Sequence, residues 1–427
     1  MPRNCDPETY LRLAFERTLL SHRSGNPMLE GFEGAVISRA LTAAGTLDQE
    51  TAQKVLDEYE LARALRQPQR GRMLMHRRSL AQGQRQRFSI ERVAICDRDF
   101  EHGNEQWTLL RVLFGDDATR IDLSGVGPPG KRGNPRRHSA MRSLPGGMAP
   151  HPHPQTLALA DDQGTAATAR VGQSSWGDRS WEATYTSDVP LLPDTQWIEV
   201  DGSRLELPDR QPAPEVHVEG IEPMNPLRAV LYREILSTDR RQGGADTVEI
   251  ASRALVATGA LGEDDALLVE LRRIADAVTS ATPVPGLPEP WASLLARYSR
   301  GDGTIGTVAI GAVIDDLEGF SIRLDALVSE PGSFSISLAI SPGTPLLRHF
   351  PGIDVEPSPI TWWAEDDRTN AYVAFSDRGG GGGNLAEGQV TSLAPLDPKA
   401  TELRLLPTGT RTRAVVTVPL AALAGAR

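Results

Sequence analysis

Ser38-Arg39-Ala40-Leu41-Thr42-Ala43-Ala44-Gly45-Thr46-Leu47 returns at an offset of 214 as Ser252-Arg253-Ala254-Leu255-Val256-Ala257-Thr258-Gly259-Ala260-Leu261, identical at seven of ten positions. Upstream, the run from Leu11-Arg12 to Leu20-Ser21 matches Leu227-Arg228 to Leu236-Ser237 at 216. Downstream, Val93-Ala94-Ile95 pairs with Val308-Ala309-Ile310 at 215, and Asp161-Asp162 and Pro190-Leu191 pair with Asp366-Asp367 and Pro395-Leu396 at 205. Ordered matches with slowly drifting offsets are the signature of an internal duplication. The drop of ten falls between Ser124 and Gln155, so the first copy carries an insertion that the second lacks.

Within each copy the first sixty or so residues read as helices. Phe32, Val36, Ile37, Ala40 and Leu41 recur near helical period, and Gly45 stands where a helix-ending glycine belongs. Asp48 is a natural N-cap for a following helix with Ala52, Val55, Leu56, Tyr59 and Ala62 on its apolar face. Glu263, Asp264 and Asp265 open the corresponding helix of the second copy, which buries Leu267, Leu268, Leu271, Ile274 and Ala275. A helical hairpin in each copy is the expectation.

The remainder of each copy is short β-rich runs broken by Gly, Pro and Asp. The runs 90–96, 107–114, 119–123 and 195–200, then 320–328, 333–340, 371–375 and 402–406, carry apolar residues at period two. Alternation with turn signals at short intervals suits an antiparallel sandwich of immunoglobulin-like architecture. The expected fold class is therefore α+β: an internal duplication in which each copy is a three-helix or helical-hairpin segment followed by an immunoglobulin-like β-sandwich. The expected divisions are 1–68, helical; 69–88, an Arg-rich linker; 89–210, β-sandwich with a flexible basic insertion at 125–154; 211–224, a linker; 225–281, helical; 282–304, a linker; and 305–420, β-sandwich.

Each half of the 427 residues is long enough to bury its own core. Two cysteines, Cys5 and Cys96, make a disulfide framework improbable and favour a reducing cytosol. Charges interrupt the N-terminal twenty residues, which excludes a secretory core there, and no apolar run reaches membrane-spanning length. A cytoplasmic location without membrane contact is the expectation. Net charge is −11, yet the window from Arg66 to Arg142 holds sixteen Arg plus Lys against eight Asp plus Glu, so a basic region of +8 sits on a body of −19.

Few motifs point to chemistry. Asp161-Asp162 and Asp366-Asp367 recur at matched positions, and paired carboxylates can perform acid-base work or hold a hard cation. Both pairs lie between apolar runs, where Asp favours turns by bonding its own backbone, and a turn is the simpler account. Gly125 to Lys131 satisfies a phosphate-loop spacing, but Arg132 stands where Ser or Thr is required and Gly133-Asn134-Pro135 follows in place of a helix. The Arg-rich stretches lack aromatic residues for base stacking, and the acidic body repels a polyanion, which argues against nucleic acid. His151-Pro152-His153-Pro154 reads as a disordered tract, and Gly379 to Gly383 as a flexible loop.

Trp176, Trp181, Trp362 and Trp363 are the candidate partner contacts, since consecutive Trp362 and Trp363 must face opposite sides of a strand. No catalytic or metal residue and no cofactor is expected. These features favour a non-enzymatic cytoplasmic scaffold of two tandem repeats that binds a protein. Two other readings remain: a nucleic-acid-associated regulator using the Arg-rich segments, and a hydrolase or carbohydrate-active enzyme using the paired aspartates.

Overall fold

The computed structural model describes residues 5–20, 32–66, 88–103, 105–126, 153–176, 180–212, 214–237, 244–280, 282, 284–289, 291–298, 303–343, 360–382, 385–392 and 394–424. They form two compact units: Ser89–Ala213 with Val308–Val313, and Met1–Phe88 with Pro214–Thr307 and Ile314–Arg427.

The first unit is built on one antiparallel sheet. Its strands are β1 (Arg92–His102), β2 (Glu105–Phe114), β3 (Thr119–Val126), β4 (Thr156–Asp161), β5 (Ala166–Trp176), β6 (Ser180–Ser187), β7 (Trp197–Val200) and β8 (Ser203–Glu206), in the order β1-β2-β3-β6-β5-β4-β7-β8. Strand β6 shows why the residues choose this form: Trp181, Ala183 and Tyr185 alternate inward and are buried, while the residues between them are not. Trp181 meets Trp107 edge to face at 5.0 Å between ring centroids. Gly125 is required beneath it, because a Cβ there would lie 2.5 Å from the indole.

The sheet's two edges approach one another. Ser203 Oγ on β8 donates to the Glu101 carbonyl on β1 at 3.2 Å. The Arg92 guanidinium donates to the carbonyls of Pro193 (2.9 Å), Thr195 (2.6 Å) and Pro208. A sheet curled so that its first and last strands meet is a nearly closed barrel, with its core inside the curl.

In the second unit the helices are α1 (Pro7–Leu20), α2 (Phe32–Ala43), α3 (Gln49–Arg66), α4 (Pro226–Ser237), α5 (Gly244–Ala257), α6 (Ala266–Ser280), α7 (Trp291–Tyr298) and α8 (Ala421–Ala424). Gly45 ends the turn after α2 at φ +71°, and Gly259 does the same after α5 at φ +75°. Asp48 caps α3, accepting the Thr51 amide at 2.8 Å. Helices α2 and α5, which carry the two matched decapeptides, pack against each other. Arg39 on α2 and Glu234 on α4 form an ion pair whose side chains are 4% and 3% exposed.

The second sheet contains β9 (Val216–Gly220), β10 (Gly306–Leu317), β11 (Phe320–Glu330), β12 (Ser333–Ser341), β13 (Thr361–Asp366), β14 (Ala371–Gly382), β15 (Leu385–Ser392), β16 (Glu402–Thr408) and β17 (Thr412–Pro419). Its order is β10-β11-β12-β15-β14-β13-β16-β17-β9, the strand order of the first sheet with β9 added at one edge. Glu318, in the β10–β11 turn, accepts hydrogen bonds from the amides of Thr410, Arg411 and Thr412, which tethers that turn to the β16–β17 turn.

This architecture corrects the expected fold class. Neither sheet is a sandwich of two layers; each is one continuous antiparallel sheet, barrel-like in its curvature. Period-two alternation records only that one face of each strand is buried, and both arrangements satisfy that. Nor do the helices form a separate hairpin for each copy. Those of 7–66 and 226–280 contact each other: α2 packs on α4 and α5, and Ala40 and Leu41 of α2 and Ala254 and Leu255 of α5 are fully buried. The glycine run is also corrected: Gly379 to Gly382 lie in β14 and pair with β15, while Gly383 lies outside the described residues.

Candidate functional site

Beside α6 lies an open cleft of about 440 Å³, lined by Val269, Glu270 and Arg273 from the helix and by Leu287 and Pro288 from the following segment. Val269 and Glu270 are adjacent on α6, so the cleft combines the outer apolar side of the helix with one carboxylate. Val269 is 45% exposed. Arg273 NH2 donates to the Pro285 carbonyl at 2.6 Å, holding the far wall, and Gly286 supplies the φ of +71° that turns the chain there.

Behind the cleft, Glu270 accepts from Tyr232 OH at 2.8 Å and from Arg228 Nε and NH2 at 3.2 and 3.1 Å. Burial, reinforced by the hydrogen bond and charge of Glu270, pushes the Tyr232 phenol above its ordinary range. The Tyr232 ring stands edge-on to Trp291 at 5.3 Å, and Trp291 stands edge-on to Trp363 at 6.5 Å. The carboxylate that lines the cleft is therefore charge-compensated, and the tyrosine that bonds it is packed among aromatic rings. Glu270 thus carries its counter-charge already, beside an apolar wall of Val269, Leu287 and Pro288.

The four tryptophans separate. Trp181 and Trp362 are buried, at 1% and 5% exposure. Trp363 faces the other side of β13 and packs on Trp291 of α7. Trp176 lies in β5 opposite Trp181.

The aspartates serve their turns. Asp161 Oδ1 accepts the amides of Gln163 (3.1 Å) and Thr165 (2.7 Å), and Asp366 Oδ1 accepts those of Arg368 and Asn370, both at 2.9 Å. Asp366 Oδ2 also accepts from Tyr372 OH at 2.7 Å. Asp162 accepts the Gln196 amide at 3.3 Å and Asp367 the Thr401 amide at 3.0 Å, each tying its turn to the segment before the next strand. Among the described residues no group of three or more His, Cys, Asp or Glu is placed to hold a metal. Burial pushes the Cys96 thiol up to about 12, which keeps it un-ionised at neutral pH and a poor nucleophile.

His153 is not part of a disordered tract. It is buried beside Trp181 and Tyr185, and Tyr185 OH donates to the Pro154 carbonyl at 2.9 Å. Gly125 and Val126 belong to β3, so the insertion narrows to 127–152, which lies outside the described residues with His151, most of the Arg-rich stretches and the phosphate-loop spacing. The residues that sequence reasoning missed are Tyr232, Glu270 and Trp291. One signal was present: Tyr232 occupies the position matched by Glu16 while its neighbour Arg228 is matched by Arg12, so the copies differ in character at that place.

Compared with known protein families and with curated proteins, the chain matches none. It is similar to a solved structure described as that of the conserved domain protein from Bacillus anthracis, at 10% identity over 74% of this chain and 77% of that one. The TM-score of 0.17 is too low for that likeness to carry an argument about fold or function. Among the described residues no helix is long and apolar enough to cross a membrane.

Proposed function

We propose that the chain is a non-enzymatic cytoplasmic binding or scaffold protein, made of two tandem repeats, whose partner is a protein. The repeat reading is supported by the shared strand order and by the aspartate turns, which recur at matched positions with the same backbone bonds. The observation that carries the binding reading is the α6 cleft, where exposed Val269 and the Leu287-Pro288 wall stand over a carboxylate that Arg228 and Tyr232 already satisfy. A partner side chain of short aliphatic character fits there, with Glu270 and Arg273 at its rim.

The test is co-purification from cytosol using the intact chain, a Val269→Glu variant and a chain lacking 127–152, each with and without nuclease. A protein recovered by the intact chain, insensitive to nuclease and lost with Val269→Glu, is the expected result. Recovery that requires nucleic acid would turn the reading toward the Arg-rich stretches, and recovery unaffected by Val269→Glu would remove the cleft from it.

A further inference from the structure

Strand β9 ends the second sheet, and its composition specifies what can extend it. It pairs antiparallel with β17 through Val216↔Val416, His217↔Val415, Val218↔Ala414, Glu219↔Arg413 and Gly220↔Thr412. The flanking bonds set its polarity: the Ile221 amide donates to the Arg411 carbonyl at 2.9 Å, and the Thr417 amide donates to the Glu215 carbonyl at 3.3 Å. Odd-numbered residues therefore spend their backbone groups on β17, whereas Val216, Val218 and Gly220 aim theirs outward. Among the described residues no strand lies on that side. At its centre Val218 is 47% exposed, an aliphatic side chain on an open edge where charged residues are the usual guard.

We infer that this edge binds the same edge of a second copy of the chain, in an antiparallel pairing centred on Val218. A two-fold pairing at that residue sets Val218 against its own counterpart as a hydrogen-bonded pair and Val216 against Gly220, which uses every outward-pointing backbone group of the strand. On the opposite face it sets His217 of each chain directly against Glu219 of the other, in the closer, non-hydrogen-bonded positions. Neighbouring registers are penalised. Centring on His217 opposes Glu215 to Glu219, and centring on Glu219 opposes that carboxylate to itself, so charge selects the register that also joins the valines. Glu219 already pairs with Arg413 of its own chain, and the two-fold pairing places it between that guanidinium and the incoming imidazole. Pro214 and Pro223 bracket the strand and limit the ladder's length, so the association is concentration-dependent rather than permanent.

Sedimentation equilibrium of the full chain across a wide concentration range tests this. A monomer–dimer equilibrium is expected. Val218→Pro should weaken it at least about tenfold, because it removes an outward N–H while leaving the bonds to β17 in place. His217→Glu, at an exposed position, should weaken it as well by opposing like charges, while His217→Lys should preserve it. Unchanged far-ultraviolet circular dichroism shows that a variant remains folded. A chain monomeric at every accessible concentration, or a dimer indifferent to both Val218→Pro and His217→Glu, would overturn the inference.

Discussion

Arg39 and Arg253 occupy the same place in the repeated decapeptide, yet they live in different media. Arg39 is buried and paired with Glu234, while the Arg253 side chain is 70% exposed and bonds Glu249 one turn back on its own helix. The matched partner position differs as well. At an offset of 216, Glu234 corresponds to Thr18, whose hydroxyl donates to the Ala14 carbonyl of its own helix at 3.0 Å and offers no charge. A buried cation survives only where an anion meets it, and α4 supplies that anion to Arg39. Identity at seven of ten positions preserved the helix and its end, and left the electrostatics free to diverge.

The largest expected effect tests that asymmetry. Arg39→Ala strands Glu234 in the helix interface and should cost about 3–5 kcal/mol, the usual consequence of removing one member of a buried pair. Arg253→Ala removes an exposed pair within one helix and should cost below about 0.5 kcal/mol. Thermal or urea unfolding of the two variants measures the difference directly. Equal losses would mean that the buried pair contributes no more than the exposed one, and the contrast would dissolve.

What the sequence made legible divides along a physical line. Elements set by neighbours in the chain were readable: Gly45 and Asp48 delimit helices as their chemistry requires, and each of the eight alternating runs begins within two residues of a strand. Features set by partners far along the chain were not. Alternation says that Trp181 and Phe334 are buried but not whether a second layer or the far side of a curled sheet covers them. The glycine run looked like a loop because glycine is a poor strand former, and the ladder with β15 overrode that preference. His153 was judged by flanking prolines, whereas Trp181 and Tyr185 decide its place. At the cleft, Glu270 reads as one helical carboxylate among many until Arg228 and Tyr232, 42 and 38 residues away, are brought to it.

A second, smaller contrast lies between two ion pairs whose arginines occupy matched positions. Arg12 reaches Glu58 across α1 and α3, as Arg228 reaches Glu270 across α4 and α6. In the second, Tyr232 OH also donates to the carboxylate, and its ring packs on Trp291. Tyr232→Phe should therefore lower stability by about 1.5–3 kcal/mol, the usual range for one hydrogen bond to a charged group, with the ring's packing on Trp291 retained. Glu58→Gln, which alters an exposed pair, should leave Tm within error of the parent. If Tyr232→Phe is equally silent, the second pair carries no more structure than the first.

The smallest effect concerns the two hairpin contacts that draw each sheet's edges together. In the second sheet, burial pushes the Glu318 carboxyl up, but the hydrogen bonds from Thr410, Arg411 and Thr412 outweigh it and leave the group at about 2. Gly409 must stay glycine for this contact, since a Cβ there would lie 2.5 Å from the carboxylate carbon. In the first sheet the corresponding hairpins meet through His102 Nε2 and Asp201 Oδ2 at 3.9 Å and through the Ser203 hydroxyl on the Glu101 carbonyl, and Asp201 spends its other oxygen on the Ala158 amide at 2.6 Å. Because the folded value of Glu318 lies below that of the unfolded chain, near 4.5, its stabilisation is complete above that pH and fades as pH falls toward 2. Glu318 is exposed to solvent, so screening reduces the contribution to the order of 1 kcal/mol or less. Glu318→Gln should accordingly lower Tm at pH 7, lower it less at pH 3, and match the parent near pH 2. Asp201→Asn, serving a contact without such a cluster of donors to the β1–β2 turn, should show no comparable convergence. A Glu318→Gln deficit that persists undiminished to pH 2 would assign the effect to the amide's poorer fit among the three backbone donors rather than to the loss of charge.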